Sequence, residues 1–170
     1  LISNGALDSN TTGWNTSGTG GRLTDTGGGH YEWQGDNTTG SLTSGNLTGW
    51  NSGNALGGSV QVEFDISWAD TPLLDNGVAS KLTITIGGVD YARITTGVSN
   101  GANATIEYLN GATGNLSTIA ESALAGLFGA NMSHLIINLP TTTAAGGTLV
   151  FGFSSAGGGT DNIAIDNIKA

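Results

Sequence analysis

The chain has 170 residues, enough to enclose one core, with 30 glycines, 2 prolines, no cysteine and only 10% charged residues. Thirteen acidic residues against four basic ones leave a formal net charge of −9, which argues against nucleic acid and anionic membranes as partners, because affinity for both rests on Lys and Arg. There is no disulfide framework, no run near the roughly 18 apolar residues of a membrane-spanning helix, and a polar surface that must come from Ser, Thr and Asn.

Taken in chain order, the first strand expected is residues 30–33, followed by a Gly-, Ser-, Thr- and Asn-rich stretch over 39–58 in which Leu42 and Leu47 argue against disorder. The clearest signal is residues 60–68, Val-Gln-Val-Glu-Phe-Asp-Ile-Ser-Trp, where strict apolar/polar alternation predicts a half-buried strand. Residues 81–86 alternate likewise and meet Gly87-Gly88 before residues 89–94 return, which predicts a β-hairpin with Tyr91 opposite Ile84. Residues 104–109, 134–139, 148–153 and 162–169 are further strands. One stretch differs: Thr118 and Glu121 have capping-box spacing, and Ile119, Ala123 and Leu127 recur at helical intervals, predicting a short helix over 118–127. Many short strands with turns between them predict an all-β sandwich of two antiparallel sheets, formed by residues 1–170 as one domain.

The chemistry on offer is sparse. Glu63 and Asp65 lie two apart on one strand face, their Cα atoms about 6.6 Å apart, a spacing that suits a carboxylate pair. Glycoside hydrolysis or lysis is disfavoured because no third carboxylate follows; Trp68 stands three residues after Asp65. The other roles for Gln61, Glu63 and Asp65 are hydrogen bonding to sugar hydroxyls or a plain solvated face. His30 and His134 lack the neighbours of a zinc or nucleophile site. Glycine runs such as 27–29 and 157–159 have no lysine and read as turns. Among the aromatics, Trp14, Trp68 and Tyr91 fall at core positions and Trp33 pairs with Tyr31 in packing. Trp50 lies in a loop of small residues and is the first candidate for a sugar-stacking platform, with a lid over the sandwich end as the competing role; Tyr108 is the second candidate.

The two ends carry matched motifs: Ile2-Ser3-Asn4-Gly5-Ala6-Leu7-Asp8 with Gly13-Trp14 soon after, and Asp161-Asn162-Ile163-Ala164-Ile165-Asp166-Asn167-Ile168. They resemble the opening and closing motifs of jelly-roll carbohydrate-binding modules of the galactose-binding-domain-like superfamily, which accompany secreted bacterial glycosidases and surface proteins. The resemblance implies that the first and last strands lie side by side and that Asp8 and Asp166, with carbonyls of Ala6 and His30, hold a structural calcium ion. The alternative is that both aspartates cap turns. Asp70 and Asp75 offer a second calcium site or an ordinary solvated loop. The string Glu63-Phe64-Asp65-Ile66-Ser67 also resembles, superficially, the signature of one jelly-roll glycosidase family, lacking its last carboxylate. The implied protein is a non-catalytic carbohydrate-binding module, secreted or at the bacterial cell surface, acting as a monomeric domain of a larger protein on a polysaccharide or cell-surface glycan, with no nucleic acid and no membrane insertion. A structural or adhesion domain of an extracellular adhesin without a sugar site is the alternative. Because Leu1 begins within the fold with no leader-like segment ahead, the chain is expected to be a mature fragment or an excised domain.

Overall fold

A computed structural model describes residues 7, 11–24, 29–34, 38–47, 60–69, 78–99, 101–122, 132–140, 147–155 and 161–170. Thirteen strands occur among them: β1 (Trp14–Gly18), β2 (Gly21–Thr24), β3 (His30–Gln34), β4 (Thr39–Ser44), β5 (Gln61–Ala69), β6 (Lys81–Ile86), β7 (Val89–Thr95), β8 (Ala104–Tyr108), β9 (Thr113–Gly114), β10 (Thr118–Ile119), β11 (Ser133–Asn138), β12 (Leu149–Ser154) and β13 (Asn162–Lys169). They form two antiparallel sheets. One has seven strands in the order β1-β4-β12-β6-β7-β8-β10 and the other six in the order β2-β3-β13-β5-β11-β9. The chain crosses between the sheets repeatedly, from β4 to β5, β5 to β6, β8 to β9, and β11 through β12 to β13, as in a jelly roll.

Period-two alternation decides which side chains meet between the sheets. In β5, Val62, Phe64, Ile66 and Trp68 are buried, while Gln61, Glu63 and Asp65 face outward. β12 answers from the other sheet with Leu149, Phe151 and Phe153. Phe64 meets Phe151 edge to face at 5.0 Å between ring centroids, and Trp33 stacks on Phe153 at 6.0 Å. Such aromatic pairs contribute about 1 kcal/mol each beyond the area they bury. They fix the packing of β3 and β5 against β12.

The Gly87-Gly88 turn is present, with φ of 56° and 84°, the positive pair that a tight hairpin turn requires. Ile86 pairs with Val89 and Thr85 with Asp90, but a bulge then shifts the register so that Ile84 faces Ala92. Tyr91 is therefore not opposite Ile84 as expected, although it is buried as expected. Four strands carried no sequence signal: β1, β2, β4 and the two-residue β9. β1, β2 and β4 consist largely of Gly, Ser, Thr and Asn, and β1 and β4 approach closely: a Cβ on Gly18 would lie 2.0 Å from the Thr39 carbonyl oxygen, and its φ is +80°.

The expected helix is corrected in its described part. Thr118 and Ile119 form β10, paired with Thr105 and Ala104 of β8, and residues 120–122 are not helical. Residues 123–127 of that prediction lie outside the described residues. Tertiary contacts outweigh the local period here: Ile119 is 2% exposed and its carbonyl accepts the Trp68 indole N–H at 3.0 Å, while the Ile106 amide donates to Ser117 O at 2.9 Å. Among the described residues no helix is long and apolar enough to cross a membrane.

Candidate functional site

Antiparallel pairing gathers polar side chains from three strands onto the outer face of the six-stranded sheet. β11 runs beside β5 with Asn138 opposite Gln61, Ile136 opposite Glu63 and His134 opposite Asp65. On the other side, β13 sets Asp166 opposite Asp65 and, after a bulge, Lys169 opposite Glu63. At the bulge Asn167 takes φ +50°, a left-handed conformation that Asn tolerates better than most residues.

These side chains hold one another. The His134 Nδ1 lies 2.7 Å from Asp65 Oδ1 and its Nε2 3.5 Å from Glu63 Oε2. Asn167 Nδ2 donates to Asp65 Oδ2 at 2.9 Å, and Gln61 Nε2 donates to Asn138 Oδ1 at 2.7 Å. Asn115 secures the backbone beneath His134 by copying a strand residue: its Nδ2 donates to the His134 carbonyl at 3.0 Å, and its Oδ1 accepts the Ile136 amide at 2.8 Å. The side chains of Glu63 and Asp65 are 28% and 26% exposed, so solvent and any ligand reach them. Of this set only Gln61, Glu63 and Asp65 were foreseen. His134 and Asn138 sit on a strand whose alternation shows which way they point, but no local signal names β5 as its neighbour.

A second polar cluster lies nearer the sheet edge. Glu32, 5% exposed, accepts Arg22 Nε at 2.6 Å and Gln34 Nε2 at 3.2 Å, and its other oxygen lies 3.3 Å from His30 Nε2. Burial alone would push the Glu32 carboxyl up, but His30 and Arg22 outweigh it and hold the group below the usual glutamate range.

At the chain ends, Asp166 is 8% exposed and its Oδ1 accepts the Leu7 amide at 2.7 Å, joining residues 159 apart in sequence. Leu7 and the closing motif therefore meet. The pairing of β13 with β3 runs up to Tyr31 opposite Ile165. Ala6 and Asp8 lie outside the described residues, and among the described residues no three His, Cys, Asp or Glu groups are placed to hold a metal ion.

The aromatic candidates divide. Trp50 lies outside the described residues, as do Asp70 and Asp75. Tyr108 packs partly buried against the core and its hydroxyl donates to Leu116 O at 2.6 Å, with burial raising its pKa above the usual tyrosine range despite that bond. Its ring braces the β8–β10 connection instead of standing clear as a platform. Among the described residues the exposed large hydrophobics are Val89 and Val98, neither of them aromatic. Trp14, Trp33 and Trp68 are buried, as expected.

No known protein family's model matches the chain, and no curated protein matches it. Among solved structures it is similar to TmCBM27, a carbohydrate-binding module described for specific mannan recognition, at 11% identity and a TM-score of 0.46 over 96% of this chain and 91% of that one. It is also similar to TmCBM61, solved with β-1,4-galactotriose, at 12% identity and a TM-score of 0.39 over 92% and 89% of the respective chains.

Proposed function

We propose that residues 1–170 form one non-catalytic carbohydrate-binding domain whose ligand lies on the outer face of β5, β11 and β13. The observation that carries this reading is the outward array of Gln61, Glu63, Asp65, His134, Asn138 and Asn167, hydrogen-bonding groups held in fixed orientation yet open to solvent. A sugar hydroxyl both donates and accepts, so an array mixing carboxylates, amides and an imidazole can receive it. Trp50, which lies outside the described residues, is the proposed stacking residue. A net charge of −9 selects neutral or cationic glycans. With net gains of about 1 kcal/mol per hydrogen bond, affinity is modest. Catalysis is not part of the reading, because Glu63 and Asp65 share one histidine and Trp68, in the place of a third carboxylate, is 1% exposed.

The host is a secreted or surface-exposed bacterial protein, and calcium clasps its chain ends. Asp166 and the Ala6 and His30 carbonyls, with Asp8, are hard oxygen donors of the kind calcium takes. Titration against a glycan panel that includes mannan and β-1,4-galactan fragments tests the binding: Trp50→Ala should abolish it and Glu63→Gln should weaken it. Chelation should lower the melting temperature of the native chain and leave Asp166→Ala unchanged. A second reading, a structural or adhesion domain without a sugar site, is favoured by the absence of an exposed aromatic among the described residues. It takes over if no glycan in the panel binds.

A further inference from the structure

His134 touches both carboxylates of the outer face, but the two contacts differ in kind. The 2.7 Å contact from Nδ1 to Asp65 is a hydrogen bond; the 3.5 Å separation of Nε2 from Glu63 is an ion pair that only a charged ring sustains. An imidazolium donates from both nitrogens, whereas a neutral ring keeps one proton and turns a lone pair towards the other partner. The short bond to Asp65 retains that proton on Nδ1. The Nε2 lone pair then faces the Glu63 carboxylate, and the contact becomes repulsive.

We infer that His134 is a proton-operated latch on Glu63, and hence a regulator of the glycan-binding face, a role that rests on the reading proposed above. In acid the charged ring holds Glu63 against β11. Near neutrality Glu63 is released and joins Gln61 in offering atoms to a ligand. Asp65 stays in place in both states, because Asn167 Nδ2 holds its second oxygen at 2.9 Å. Charged groups on the elements packed beside β11 are Glu63 and Asp65 on β5, with Asp166 and Lys169 one strand further on β13. On the β9 side the neighbour is neutral Asn115, which fixes the backbone under the ring.

A side chain that gains and loses a proton is the element such a latch needs, and histidine is the one whose charge most readily changes. A ligand that donates hydroxyls to the released Glu63 prefers the neutral ring. Affinity is therefore full with the neutral ring and lower with the charged one. Losing one hydrogen-bond acceptor corresponds to about a fivefold change in affinity.

Two measurements decide the matter. In ligand-free, isotope-labelled protein the Glu63 carboxyl signal should step over the same pH interval as the His134 ring signals, and the step should vanish in His134→Gln. A Glu63 signal that does not follow the ring overturns the latch, whatever the protein binds. In the mannan and β-1,4-galactan titrations, the native chain should bind about fivefold more weakly at pH 5.5 than at pH 7.5, with His134→Gln equal at both. Equal affinity of the native chain at both pH values overturns the regulatory role while leaving carbohydrate binding intact. Failure of every glycan removes the binding reading instead, and the ligand-free spectra still decide the latch.

Discussion

Replacing Asp166 by alanine removes the bond that ties Leu7 to the last strand, from the Leu7 amide to Asp166 Oδ1 at 2.7 Å. The acceptor is charged and the site buried, with Leu7 at 0% and Asp166 at 8% exposure. A hydrogen bond to a charged group contributes about 1.5–3 kcal/mol, and the stranded Leu7 N–H has no access to water in compensation, so a loss of about 2 kcal/mol is expected. For a chain of this size that is about 4–8 °C in melting temperature, or about 1 M in urea midpoint with an unchanged slope. Urea denaturation should be run in chelator, so that the hydrogen bond is measured apart from any bound metal. Asp166→Asn, which keeps an oxygen without the charge, should lose about half as much. A midpoint shift for Asp166→Ala below about 0.2 M would refute the reasoning and show that the chain end is not clasped through this contact.

Three further outcomes follow from the packing and the charges. Phe151→Ala should cost about 3–5 kcal/mol in the same denaturation assay, since the ring is fully buried between Trp14 and Phe64. Trp68→Phe should cost about 1–2 kcal/mol by leaving the Ile119 carbonyl without its indole donor, and amide exchange should rise in β10 before it rises in β5. Glu32 has a lowered pKa, so its stabilising contribution is complete above the unfolded glutamate value of about 4.3 and is lost as pH falls through the lower folded value. Stability profiles of the native chain and Glu32→Gln should therefore differ most at neutral pH and converge below about pH 4; parallel profiles down to pH 3 would contradict that assignment.

The sequence was most informative where burial has a two-residue period. Strands β5 to β8, β11 and β12 announce themselves through alternating apolar residues, because each buries one face against the opposite sheet, whereas β13 is buried on both faces over its first five residues. β1, β2 and β4 do not. Their strand character comes from pairing with neighbours, as when Ser17 and Ser41 share a hydroxyl hydrogen bond of 2.8 Å, and a run of Gly, Ser and Thr looks the same in a loop. The departure from helix over residues 118–122 has the same origin: apolar residues at helical spacing around Ile119 satisfied a local rule, while the indole of Trp68, 51 residues away, supplied a bond that the local rule cannot contain.

For the candidate site the division is sharper. Alternation alone determined that Gln61, Glu63 and Asp65 share a face and that Val62, Phe64, Ile66 and Trp68 share the other, because the direction of a strand side chain is a property of its own backbone. The end motifs pointed to a meeting of the termini. Only the tertiary structure decided that His134 stands between the two carboxylates and that a left-handed Asn167 reaches Asp65 from 102 residues away. Which strand lies beside which depends on the summed packing of both sheets, and no window along the chain holds that sum.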